Sequence, residues 1–185
     1  MSLHIRIASV EDAQAVNAIY GHYIEHTVAT FSEVKKTVEQ RVREIEEILK
    51  DYPFLIAEDE NGSFLGFACA EPFRPQTGYR YTAELTIYLH PDAPKGCGIG
   101  SALYEKLLAM LSDQGYYTAL GVLYGGNRES LRLHEKFGFE DVLLLPNAAF
   151  KHGHWLDMRI MKKTLRPYDE HPSRPIPFGE YRKRL

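Results

Sequence analysis

Residues 95–101 read KGCGIGS and run straight into a regularly spaced apolar segment, IGSALYEKLLAML, over residues 99–111. Glycines in a turn ahead of a helix leave backbone N–H groups exposed, and the helix dipole adds positive potential there, so the segment can hold a phosphate. Ile99, Ala102, Leu103, Leu107, Met110 and Leu111 form one stripe at helical spacing, and Gly115 ends it. The spacing of the glycines decides which phosphate. A Walker loop would need G-x-x-x-x-G-K-[ST], which is absent. The dinucleotide pattern G-x-G-x-x-G would need glycine where Ser101 stands and an acidic residue at the end of the next strand, which reads LGVLYGGN. Taken alone, the loop also fits a helix simply entered through a flexible turn.

Outward from the loop, the chain alternates strand and helix patterns. Upstream, YRYTAELTIYLHP has period two. It predicts a strand with Tyr79, Tyr81, Ala83, Leu85, Ile87 and Leu89 on one face and Arg80, Thr82, Glu84, Thr86 and Tyr88 on the other. FLIAEDENGSFLGFACA reads as two strands around Asn61-Gly62. IRIA near the start is a short strand, and Ser9, Glu11 and Asp12 open a helix carrying Ala15, Ile19 and Tyr23. A second helix is expected over residues 38–49, from Val38, Val42, Ile45 and Leu49. Downstream come a buried strand, YTALGVLY, a short helix capped by Asn127 and ended by Gly138, and strands around FEDVLLL and HWLDMRIM. The order predicts an α/β or α+β fold in one domain over residues 1–165. Residues 166–185, rich in proline, read as an arm or a disordered end.

The chain has 185 residues, long enough for one sizeable core. Lys and Arg total 22 against 25 Asp and Glu, a formal charge of −3 with no basic block, so nucleic acid is not the expected partner. No apolar run approaches the roughly 20 residues that cross a bilayer, and the start lacks the order of a signal peptide, so a cytoplasmic protein without membrane contact is expected. Cys69 and Cys97 fit no C-x-x-C spacing, in keeping with a reducing compartment. His152 and His154, one residue apart, lack a third ligand of suitable spacing, so no metal is expected.

Residues 95–100 fit the pattern Q/R-x-x-G-x-G/A, with Lys95 in the first place and Gly98 and Gly100 as the glycines; one strand further on stands NRESLRLHEKFGF. Together these motifs resemble the acyl-CoA loop and the second signature of the GNAT N-acetyltransferase superfamily. IYGHYI, FRPQTGYRYTAELTIYLHP, LHEKFGF and KHGHWLD narrow the likeness to the branch that acetylates phosphinothricin and methionine sulfone or sulfoximine. The resemblance implies a central mixed, mostly antiparallel sheet flanked by helices, and transfer of acetyl from acetyl-CoA to the α-amine of a small L-amino acid or analogue by direct attack in a ternary complex. It also implies a homodimer, with residues 151–157 near its interface.

The same resemblance assigns acetyl-CoA contacts to Leu85 and Ile87, to Lys95, Gly96, Cys97, Gly98, Ile99, Gly100 and Ser101, and to Asn127 and Ser130. Asn127 is equally a good N-cap, and the two roles can coexist. Glu84 is the expected general base, because partial burial raises a carboxylate toward neutrality; an ion pair with Arg80 would lower it instead. His134 follows Asn127 by about two helical turns, so both meet one surface. It stands where the family usually carries Tyr, and is read as acid, proton relay or structural histidine. The resemblance places Arg74, Arg80 and Glu84 at the substrate, and bidentate pairing of guanidinium with carboxylate explains why an amino-acid substrate would call for the two arginines. Gln76 replaces an arginine frequent in phosphinothricin-type chains. Phe31 is read as closing over the substrate or as a surface plug. The competing functions are an acyl-CoA-binding regulatory module without turnover, and acetylation of a peptide N-terminus or a polyamine.

Overall fold

The computed structural model describes residues 2–185. Seven strands form one sheet in the order β1-β2-β3-β4-β5-β7-β6. They are β1 (His4–Ile7), β2 (Phe54–Glu58), β3 (Phe64–Pro72), β4 (Thr82–Leu89), β5 (Thr118–Tyr124), β6 (Glu140–Lys151) and β7 (His154–Thr164). Every neighbouring pair is antiparallel except β4 and β5. A parallel pair needs a crossover, and α3 (Ile99–Gln114) supplies it. The expectation of a mixed, mostly antiparallel sheet flanked by helices is met.

Alternation along β4 decides which helices meet which face. Tyr88 packs against Tyr20 and Tyr23 of α1 (Ala13–His26), at ring separations of 4.9 and 4.8 Å. Its neighbour Ile87 lies beside Gly100 of α3, as does Leu133 of α4 (Arg128–Lys136). Glu84, Thr86 and Tyr88 therefore share the α1 side, while Leu85, Ile87 and Leu89 face α3 and α4. α2 (Val38–Asp51) packs on α1 and carries a full capping box between Thr37 and Gln40.

Three expectations need correction. The strand read from Tyr79 begins only at Thr82. Residues Thr77–Tyr79 form a 3₁₀ turn closed by Tyr79 N to Gln76 O and Arg80 N to Thr77 O. Tyr79 is consequently exposed, because the local i→i+3 bonds of a Pro- and Gly-containing loop win over the extended pattern. Tyr104, omitted from the α3 stripe, is fully buried, since its side chain closes the gap between α3 and α4.

The third concerns the end of the chain. Residues after 165 were expected to be an arm or disordered, yet they run back along the same molecule into α5 (Phe178–Tyr181). Phe178 is wholly buried. Gln114 donates from Nε2 to the carbonyls of Asp51 and Ile176, and the Tyr181 hydroxyl meets Asp113 at 3.1 Å. The aromatic pair offsets the ordering cost that the prolines alone suggest will go unmet.

Candidate active site

The parallel ladder between β4 and β5 pairs Thr82 through Leu85 with Thr118 through Gly121 and goes no further. Beyond it the strands diverge, each still bonded on its outer side, to β3 and β7 respectively. A cavity of about 990 Å³ occupies the split. Leu85, Ile87, the residues from Lys95 to Ser101, Asn127, Ser130 and His134 all line it, so every expected cofactor contact lies on one surface. Because the two inner strand edges lack a partner there, the split can bond an extended chain that carries amides.

At one end of the split stands the glycine loop. Gly96 and Gly98 have φ values of 74° and 78°, a left-handed backbone strained for any residue with a Cβ, and open space surrounds the place a Cβ would take. The first intrahelical bond of α3 runs from Ala102 N to Gly98 O, so the amides of Ile99, Gly100 and Ser101 precede it and remain for a ligand. Lys136 of α4 reaches across to donate to Ser101 Oγ at 2.8 Å, and Arg132, one turn earlier on the same helix, also lines the cavity. Both cations escaped the sequence reading, although their i, i+4 spacing in LRLHEK was a visible sign of a shared face. Exposed amides, a helix N-terminus and nearby cations suit a pyrophosphate.

His134 closes the other side of the split. It is 3% exposed, its Nδ1 lies 2.8 Å from the carbonyl of Ser130, and its Nε2 lies 3.0 Å from the Tyr104 hydroxyl. A carbonyl only accepts, so Nδ1 carries the proton; burial lowers the pKa and keeps the ring neutral, so Nε2 accepts from Tyr104. The ring fits only because β5 has glycine at 121, where a Cβ would fall 2.1 Å from Nε2. Asn127 is the N-cap of α4, its side chain accepting from Ser130 N at 3.1 Å.

Glu84 lies on the other face of β4, half-buried and without an ion pair among the described residues; the alternative bond to Arg80 does not form. Its pKa is raised, first by burial and then by the charge of Glu71, against a smaller opposing effect of Arg74. Thr86 and Tyr88, next along the same face, line the cavity. Glu84 itself does not line the cavity; it precedes Thr86 on the α1 side of β4, while His134 borders the split from the α3 and α4 side. Glu71 was not singled out in the sequence, since its place opposite Glu84 depends on strand register.

Of the residues expected at the chemistry and the substrate, Glu84, Arg74, Arg80 and Phe31 do not line the cavity. The Arg74 guanidinium stacks on Phe73 at 4.5 Å, and Arg80 Nε donates to Thr77 O at 2.6 Å. Phe31 is half-buried on the loop after α1, whose Thr30 carbonyl accepts from the buried Lys151 Nζ at 2.8 Å. Lys151, at the tip of the β6–β7 hairpin, has its pKa lowered by burial. Cys97 is exposed. Among the described residues no three His, Cys, Asp or Glu side chains gather to hold a metal, and no helix is long and apolar enough to cross a membrane.

A mixed sheet split at its parallel pair, with a glycine loop and a helix N-terminus at the mouth of the split, is the architecture of an acetyltransferase. Residues 20–139 match the model of the acetyltransferase (GNAT) family, and the chain belongs to that family as an N-acetyltransferase. It is 33% identical over 175 residues to the phosphinothricin N-acetyltransferase of Streptomyces viridochromogenes, covering 94% of each chain. It is 34% identical over 170 residues to the L-methionine sulfoximine/L-methionine sulfone acetyltransferase of Salmonella typhimurium, covering 91% of this chain and 96% of that one. The crystal structure of a phosphinothricin acetyltransferase from Sinorhizobium meliloti in complex with acetyl-CoA superimposes with a TM-score of 0.85 at 34% identity, over 89% of each chain.

Proposed function

We propose that this protein transfers acetyl from acetyl-CoA to the α-amine of a small L-amino acid or analogue, of the methionine sulfone, sulfoximine or phosphinothricin type, by direct attack in a ternary complex. The observation that carries the proposal is a sheet split that ends in a glycine loop and helix N-terminus, with the half-buried, unpaired Glu84 one step along β4 from the cavity-lining Thr86. The loop amides, with Lys95, Arg132 and Lys136, hold the phosphates, and the open edges of β4 and β5 hold the amide-bearing arm. The thioester then supplies an activated acetyl carbon in the split.

An α-amine reaches the site as an ammonium ion and must lose a proton before it can attack. Glu84, its pKa raised toward neutrality, suits that task. His134 arrives neutral with its proton turned toward Ser130, so it is placed to relay a proton rather than to bring one of its own. Arg74 and Arg80, released from their local contacts with Phe73 and Thr77, pair the substrate's acidic groups. Phe31 closes over the bound amino acid. Two arginines beside the amine site disfavour a polyamine.

The hairpin of β6 and β7 exposes Val142, Leu143, Leu144, Leu145, Phe150 and Trp155 on an edge of the sheet. An apolar edge of this kind favours pairing with a second copy, and we assign the homodimer contact to it. The reading also places the protein in the cytoplasm, where acetyl-CoA and free amino acids meet.

The test is thiol release from acetyl-CoA with L-methionine sulfone, L-methionine sulfoximine, L-phosphinothricin, ordinary L-amino acids and spermidine in parallel. Turnover restricted to L-α-amino acids is expected. Glu84→Gln should lower kcat about a hundredfold or more at neutral pH, with acetyl-CoA affinity by calorimetry unchanged. Silence on every α-amino acid while acetyl-CoA binds, or an unaltered rate in the variant, would overturn the reading.

A further inference from the structure

We propose that Glu71 is a positioning residue for the transfer: directly across the β3–β4 pair from Glu84, it forms with it a two-carboxylate cradle that receives the acceptor as an ammonium ion and shares the one proton withdrawn from it. The inference rests on the acetyl-transfer reading of this site and adds a second acidic group to it.

The geometry comes from register. Glu71 and Glu84 are Cα partners in the antiparallel ladder, so their side chains rise on the same face, the one covered by α1 and α2. Directly opposed residues carry their Cβ atoms about 5 Å apart, and like charges in that position are destabilising. Nothing in the sheet compels the arrangement. Neither carboxylate has a hydrogen-bonded partner among the described residues, although Lys36, Arg41 and Arg74 are close enough to act on them. Lys36 Nζ and Arg41 Nη1 are bonded to Glu44, at 2.7 and 2.5 Å, while Arg41 Nε and Nη2 are buried without a partner among the described residues and temper the charge on this side without bonding either carboxylate. Two half-buried carboxylates without a hydrogen-bonded partner therefore stand opposite each other on the α1 and α2 side of the sheet, one step along β4 from Thr86, which lines the cavity. An incoming cation with several N–H donors relieves their repulsion.

The groups around Glu71 agree with this. Its pKa is raised, chiefly by burial and then by Glu44, while Lys36 and Arg41 oppose the rise. On the same side stand Cys69, whose thiol burial pushes up, and Tyr52. With two such carboxylates adjacent, one holds a proton more readily than either would alone. In the step itself, an ammonium N–H bond breaks, its electron pair stays on nitrogen, and the proton joins a Glu84 oxygen, stabilised by the ionised Glu71. The nitrogen pair then forms the C–N bond at the thioester carbonyl as the C–S bond breaks. Sulfur leaves with its electron pair and takes the second proton released from nitrogen, and the first passes from the cradle to water.

The test compares wild type, Glu71→Gln and Glu71→Asp. In the resting protein, NMR titration of isotope-labelled glutamate carboxyls, with the Glu84 signal identified by its loss in Glu84→Gln, should show the Glu84 pKa falling by about one unit in Glu71→Gln. Glu71→Asp should keep it near the wild-type position. In turnover, the acid limb of the kcat/KM profile should move down with it, and KM for the amine should rise about tenfold while KM for acetyl-CoA stays constant. An unmoved Glu84 titration in Glu71→Gln overturns the cradle whether or not the enzyme turns over. A moved titration in a protein that acetylates no amine leaves the cradle standing and refutes the acetyl-transfer reading instead.

Discussion

Replacing Gly121 by alanine tests whether the split is built around His134. The added methyl would lie 2.1 Å from Nε2 and 2.5 Å from Cδ2 of the imidazole. Neither side can yield by a small adjustment. Gly121 is buried within β5, and the ring is held on both nitrogens by Tyr104 and Ser130. The imidazole must swing away, leaving the buried Tyr104 hydroxyl without its acceptor. Overpacking costs about 1–3 kcal/mol and the orphaned hydroxyl a further ~1–3 kcal/mol, together about 2–6 kcal/mol. For a chain of this size the melting temperature should fall by about 5–20 °C, measured by calorimetry on the protein without ligands. In the double variant Gly121→Ala with His134→Ala, the methyl meets vacated space, so the two losses should fall short of additivity by at least about 1 kcal/mol. A single variant that melts within about 2 °C of wild type, or strictly additive losses, would refute the packing argument.

Three further outcomes follow from the geometry. Glu71→Gln should melt higher than wild type at neutral pH: the folded pKa of Glu71 is raised, so the folded state binds more protons than the unfolded one and loses stability as pH rises through that window. The difference should close as pH falls below the ordinary glutamate value of about 4.3. Lys136→Met, which removes the cation at Ser101, should weaken acetyl-CoA binding about three- to tenfold at low salt and flatten its salt dependence; unchanged titration calorimetry would count against the phosphate assignment. Sedimentation should report two copies for wild type and one for Trp155→Ser combined with Leu144→Asp, and an undisturbed dimer would send the interface elsewhere.

Much of the site was legible because its signals are local. The glycines at 96 and 98 mark an open loop by composition, and the stripe from Ile99 to Leu111 marks the helix behind it. Period-two alternation put Glu84 on the polar face of its strand, and Asn127 announced the start of α4. Tyr79 and Arg80 were misplaced for the same local reason. Their alternation looks extended, but a turn closing on Gln76 and Thr77 satisfies the backbone sooner. The proline-rich end was misread because composition reports what a segment fails to form alone, whereas here α5 packs on α2 with Phe178 buried, and Ile176 and Tyr181 bond Gln114 and Asp113 of α3.

The sequence by itself determined the parts: the glycine loop, the amphipathic helices, the alternating strands and the polar side chains they present. Those properties repeat over two to four residues, and sterics and hydrogen bonding within one element set them. Only the tertiary structure decided that β4 and β5 part after Leu85, that Glu71 stands opposite Glu84, that Gly121 makes room for His134, and that Lys136 reaches Ser101. Each of these joins residues far apart in the chain. Register and close packing bring them together, and a shift of one residue in β3 would turn Glu71 to the opposite face.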